Sequence, residues 1–88
     1  MLDAVKLSLR IRNNALDLEL IDLIESAKMD LSIAGVLKVN EDDGLIKRAI
    51  ILYCKANFGL DNKDSDKYQR SYEILRDRLS LCGDYNVD

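Results

Sequence analysis

At 88 residues with a net charge of −3, the chain has room for one domain, because a chain this short buries only ~60–65% of the surface its unfolded form exposes. An apolar fraction of 48% and a charged fraction of 33% exclude a disordered segment, and a longest apolar run of only Ala49 to Cys54 excludes a bilayer-spanning helix. An acidic chain is also poorly suited to wrapping nucleic acid, which needs a clustered positive face. Met1-Leu2-Asp3 lacks the basic start of a secretory signal, so the cytoplasm is the expected compartment.

Apolar residues at Leu2, Val5 and Leu9, with Leu7 and Ile11 alongside, predict a short amphipathic helix from Leu2 to Arg12. Asn14 then suits the N-cap of a second helix, with Asp17 three positions on, where a carboxylate complements free amides and the helix dipole. This second helix is expected from about Ala15 to Ala34, ~30 Å long. Leu16, Leu20, Leu23, Ile24, Ala27, Leu31 and Ala34 share its core face. Leu18, Met29 and Ile33 fall together on a roughly opposite face, with Ile21 at its flank. Either a partner covers that second stripe, or the first or last helix of the same chain does. Glu19, Asp22 and Asp30 lie between the stripes, with Asp17 and Glu25 flanking, against the single base Lys28. Glu19, Asp22, Glu25 and Asp30 read either as a solvated face or as a channel-facing or salt-bridging surface.

Gly35 is a natural helix stop, and Val36 to Glu41 is a loop or short extended segment. Asp42 or Asp43 caps the next helix, whose residues Leu45 to Phe58 are apolar around most of the circumference. Such a helix has to be buried on nearly all sides. Lys47, Arg48 and Lys55 form a narrow basic edge around Ile51, placed to pair with the acidic side of the second helix, within or between subunits. After a polar turn from Leu60 to Ser65, a last helix carries Tyr68, Tyr72, Leu75 and Leu79 as its core stripe and mixed charge on its solvent side. Gly83 ends it, leaving a loose acidic tail. The expected fold is therefore all-α, a single small bundle of about four helices over residues 1–83 around a central buried helix near residues 44–58, with a tail at 84–88.

The chemistry of catalysis is missing. The chain has no histidine, no glycine-rich phosphate loop and no paired-cysteine motif, so neither an enzyme nor a cofactor or metal site is expected. Cys54 and Cys82 read as free thiols, with Cys54 a small buried hydrophobe. A structural or interaction role follows by elimination.

Four segments stand out in order and spacing: Leu2-Asp3-Ala4-Val5-Lys6-Leu7-Ser8-Leu9-Arg10; Asp22-Leu23-Ile24-Glu25-Ser26-Ala27 with Asp30-Leu31; Leu45 through Gly59; and Tyr68-Gln69-Arg70-Ser71-Tyr72 to Leu75. From Met1 to about Leu81 the chain resembles the small head-tail connector, or DNA-packaging, proteins of tailed phages and prophages. The resemblance implies a helical virion protein, assembled in the bacterial cytoplasm, that sits at the head-tail junction as a homo-oligomeric ring of about a dozen subunits. It implies contacts with the portal protein and the next tail-side component, extension of the DNA channel and completion of the filled head. DNA would pass without specific binding, and no membrane is involved. A ring subunit needs two non-identical contact surfaces. Leu18, Ile21, Met29 and Ile33 are the candidates for one, and Val36, Val39 or the tail around Tyr85 for the other. The loop after Gly35 is short for projecting into a channel. The alternative, from another class, is a small acidic regulator that binds one protein through the same stripe. A DNA-reading helix-turn-helix is disfavoured because no helix is strongly basic on one face.

Overall fold

Five helices form the fold in a computed structural model that describes residues 1–59 and 63–86: α1 (Leu2–Leu9), α2 (Asp17–Ile33), α3 (Gly44–Asn57), α4 (Ser65–Leu81) and α5 (Gly83–Asn86). The first part of the expected polar turn, Leu60 to Asn62, and the end of the tail, Val87 and Asp88, lie outside the described residues. No strand occurs among the described residues, and the stretch after Gly35 is a loop. The all-α bundle read from the sequence is the architecture observed.

The central helix is α3. Its Ile46, Ala49, Ile50, Ile51, Leu52 and Cys54 are buried, with α4 packed most extensively against it, then α2, then α1. It starts where its donors are satisfied: the Asp43 carboxylate accepts from the backbone N–H of Leu45 at 2.9 Å and of Ile46 at 3.3 Å. Of the two capping residues that the sequence left open, the geometry selects Asp43.

The entry to α2 departs from expectation. α1 stops at Leu9 because Arg10 turns left-handed at φ 60°, with Arg10 N–H donating to the Leu7 carbonyl and Ile11 N–H to that of Lys6. These two bonds close the helix although a non-glycine residue in this conformation costs ~1–2 kcal/mol. Asn14 does not cap α2. Its side-chain oxygen accepts from Lys6 at 2.8 Å, while that of Asn13 accepts from the Ala15 N–H in a local turn at 3.1 Å. The helix therefore begins at Asp17, whose carboxylate sits 2.9 Å from Lys6. Leu20, Ile24, Ala27 and Leu31 are buried as expected, Leu23 is half-buried, and Leu16, which precedes the helix, stays 39% exposed rather than joining the core.

At the other end of α2, Gly35 at φ +103° takes the left-handed position that a side chain resists. Gly35 N–H donates to Ser32 and Val36 N–H to Leu31, and Val36 is wholly buried beneath the turn. The chain end also corrects the sequence reading. Through Asn86 it is docked rather than loose: the Tyr85 carbonyl accepts from the N–H of Leu37 at 2.8 Å and of Lys38 at 3.1 Å, and the Tyr85 hydroxyl donates to Asp43 at 2.9 Å. One tyrosine thus fastens the α2–α3 loop and the α3 cap together.

Candidate functional site

The outer face of α2 is where the sequence placed a second apolar stripe, and the fold leaves it open. Leu18 is 82% exposed, Met29 63% and Ile33 79%, with Ile21 at their edge 42% exposed. The core stripe of α2 turns toward α3, so residues half a turn away point outward. Neither α1 nor α4 covers them, and the reading in which the chain hides this stripe by itself falls.

The acids do not form a separate strip bordering the apolar one. Asp22, Glu25, Ser26, Met29, Asp30 and Ile33 of α2, with Tyr53 of α3, line one open depression of about 410 Å³. Glu25, expected on the flank, is among the apolar residues. Glu25 lies 3.4 Å from Lys28, but Lys28 is held more closely by Glu41 at 2.7 Å. The hydrogen bond to Glu41 raises the Lys28 pKa and lowers that of Glu41, so the helix's one base is spent on the following loop. Glu19 and Asp22 are exposed and form no ion pair among the described residues.

Asp30 differs from Glu19, Asp22 and Glu25 because it is engaged with another helix of the subunit. It accepts from the Tyr72 hydroxyl at 2.5 Å and from Arg76 at 3.3 Å; Arg76 also lies over the Tyr72 ring, 5.7 Å from its centre. Tyr53 meets Tyr72 edge-on at 5.2 Å. Burial, then the bond to Asp30, lifts the Tyr72 hydroxyl far above the ordinary tyrosine value, so it remains a donor. Tyr53 is raised as well, first by burial and then by the Asp30 charge. Asp30 is therefore a structural acid that ties α2 to α4.

The remaining candidates fall elsewhere. Lys47 and Arg48 are exposed, and Lys55 extends over the Tyr68 ring, 5.2 Å from its centre, but the ion pairs of the α2 acids run to Lys6, Lys28 and Arg76 rather than to this edge. Val36 is buried and offers no side chain to a neighbour, Val39 packs on the core, and Tyr85 is bound to Asp43 and the loop. The sequence reading missed the outer face of α4. Ile74 is 51% and Leu81 85% exposed, two turns apart on one side, with Lys67, Arg70 and Arg78 also exposed around them. The i, i+7 spacing of the two apolar residues was the available signal.

Among the described residues no group of acids or cysteines is arranged to hold a metal ion, and no helix is long and apolar enough to cross a membrane. What the surface offers is binding through apolar contact and charge. The sequence profile of a family described as phage connector protein matches residues 1–86. No curated protein and no solved structure matches the chain significantly.

Proposed function

The chain belongs to the phage connector protein family, a structural rather than catalytic family acting at the junction of phage head and tail, and on that footing we propose that it is a ring subunit seated below the portal. Membership makes it a virion component that associates with other head or tail proteins. In the proposed ring of about a dozen copies, the outer face of α2 meets a neighbouring subunit. One observation carries this reading: Leu18, Ile21, Met29 and Ile33 stand open to solvent opposite the core face of their own helix. Burying four such side chains contributes roughly 6–12 kcal/mol gross, before ordering and association costs are subtracted. The loop around Val39, fastened by Tyr85 and carrying the half-exposed Leu37, is the surface proposed to face the portal or the next tail-side component. A net charge of −3 suits a channel wall past which DNA slides, because weak contact with phosphate leaves the duplex free to move.

Electron microscopy of the purified chain mixed with purified portal assemblies tests the reading. A closed ring coaxial with the portal is expected. A single copy bound to one protein in a fixed small complex would replace the connector role with that of a regulator.

A further inference from the structure

Resting on the ring reading, the question becomes which surface of the next subunit the α2 face meets. We propose that it meets the outer face of α4 of a second copy of this chain. The two faces are complementary in charge. Around Leu18, Met29 and Ile33 the charges are the exposed acids Asp22, which has no ion pair among the described residues, and Glu25, held only at 3.4 Å by a Lys28 that Glu41 binds more closely, and the depression between α2 and α3 is lined by both kinds of residue. Around Ile74 and Leu81 they are the exposed bases Lys67, Arg70 and Arg78, none of which forms an ion pair among the described residues. Of the acids beside this face, Asp77 is already paired with Arg76 at 3.3 Å, and Asp66, exposed in the first turn of α4, stands against three bases, so the face keeps a positive balance.

The faces also match in length and position. From Leu18 to Ile33 is ~22 Å and from Lys67 to Leu81 ~21 Å at the α-helical rise. Each lies opposite the core residues of its helix, and both helices pack on α3, so the subunit has two different sticky surfaces. Contact between unlike surfaces is the heterologous, head-to-tail kind that generates a ring when the rotation closes. Apolar side chains on both sides supply the attraction, and the acids against bases select the partner face over a like one, since α2 against α2 would oppose acid to acid.

Charge exchange and mixing test the pairing, read as mass in solution by light scattering up to millimolar concentration. The wild type is expected to self-associate; the Asp22→Lys/Glu25→Lys variant and the Arg70→Glu/Arg78→Glu variant are each expected to stay monomeric, and the chain carrying all four substitutions is expected to associate again. Equal amounts of Leu18→Glu/Ile33→Glu and Ile74→Glu/Leu81→Glu chains should form a dimer that grows no further, because each retains one good face. Circular dichroism on every variant shows whether the monomer is folded; all substituted side chains are exposed, and a charge exchange that unfolds it would overturn the assignment of that face as surface. Absence of rescue, or of the mixed dimer, overturns the α2–α4 pairing. A wild type that is monomeric throughout yet forms rings on the portal also overturns it while leaving the connector role standing, whereas absence of any ring on the portal removes the connector role itself.

Discussion

Tyr72 is the residue on which two helices depend. It is fully buried, touches Tyr53 edge-on, and donates to Asp30, the acid that ties α2 to α4. Replacing it by phenylalanine keeps the packing and removes the hydroxyl, leaving Asp30 with Arg76 alone. A hydrogen bond to a charged acceptor contributes ~1.5–3 kcal/mol, and Arg76 compensates in part, so Tyr72→Phe should lower stability by about 1–2 kcal/mol in urea titration. The pH dependence follows from the raised pKa. The folded-state value lies above the ordinary 10.0, so the contribution is complete below pH 10.0 and is lost as pH rises beyond it, where the unfolded chain ionises first. Tyr72→Phe should accordingly flatten the alkaline limb of the stability profile. Cys54 gives an independent check on the same core. Burial pushes its thiol up to about 12, so at neutral pH a thiol reagent should titrate Cys82, which is half-exposed, and reach Cys54 only on unfolding. Fast reaction of both thiols in the folded protein would mean that α3 is not the buried centre.

At the scale of elements, the helix ends decide how the bundle is strung together. Gly35 sits at φ +103°, and a Cβ there would lie 3.9 Å from that of Ser80, an ordinary contact, so the effect of substitution comes from backbone strain and not from a clash. Gly35→Ala should cost ~1–2 kcal/mol in thermal or urea unfolding, and a neutral result would show that the α2 terminus can close without the left-handed turn. The glycine, the α2 core stripe and the all-round apolar α3 were legible in the sequence because each is a local pattern. The start of α2 was not, because Asn14 obeys the local capping rule but Lys6, eight residues earlier, takes its side chain. Arg10 in a left-handed turn was hidden for a related reason: side-chain type argues against it, and only the two closing backbone bonds make it tolerable. The role of Tyr85 depends on Leu37, Lys38 and Asp43, more than forty positions away, so a reading by local pattern left it in a loose tail. For the candidate site, periodicity shows the α2 stripe and also places Asp22 and Glu25 within it, one turn from Leu18 and Met29, whereas the approach of Tyr53 to that face required the α2–α3 packing. Tyr85→Phe removes only the hydroxyl bond to Asp43 and keeps the carbonyl that Leu37 and Lys38 donate to, so it should leave the helices intact and raise hydrogen exchange at the first amides of α3, Leu45 and Ile46, more than at Leu37 and Lys38.

For the whole molecule, the arrangement separates what holds the subunit together from what it offers to others. The core residues of α2 and α4 meet α3, and their outer faces stay open, so Leu18→Glu with Ile33→Glu should change stability by less than ~0.5 kcal/mol while abolishing self-association. Unfolding of that double variant by circular dichroism would place the stripe in the intrachain core. In the proposed ring one surface of the subunit faces the DNA. Lys47, Arg48 and Lys55 lie together on α3, and the proposed subunit contact uses neither them nor Glu19. If the basic edge lined the channel and touched phosphate, three contacts would give log K against log salt a slope of about −3 and measurable retention of a short duplex at about 50 mM salt. If the basic edge faces away from the lumen, the net charge of −3 repels the duplex and no retention appears at any salt concentration. On the proposed ring reading the second outcome is expected, because a channel that gripped the backbone would slow the DNA passing through it. Retention by the wild type that disappears in Lys47→Glu/Arg48→Glu would instead assign the basic edge of α3 to the channel wall.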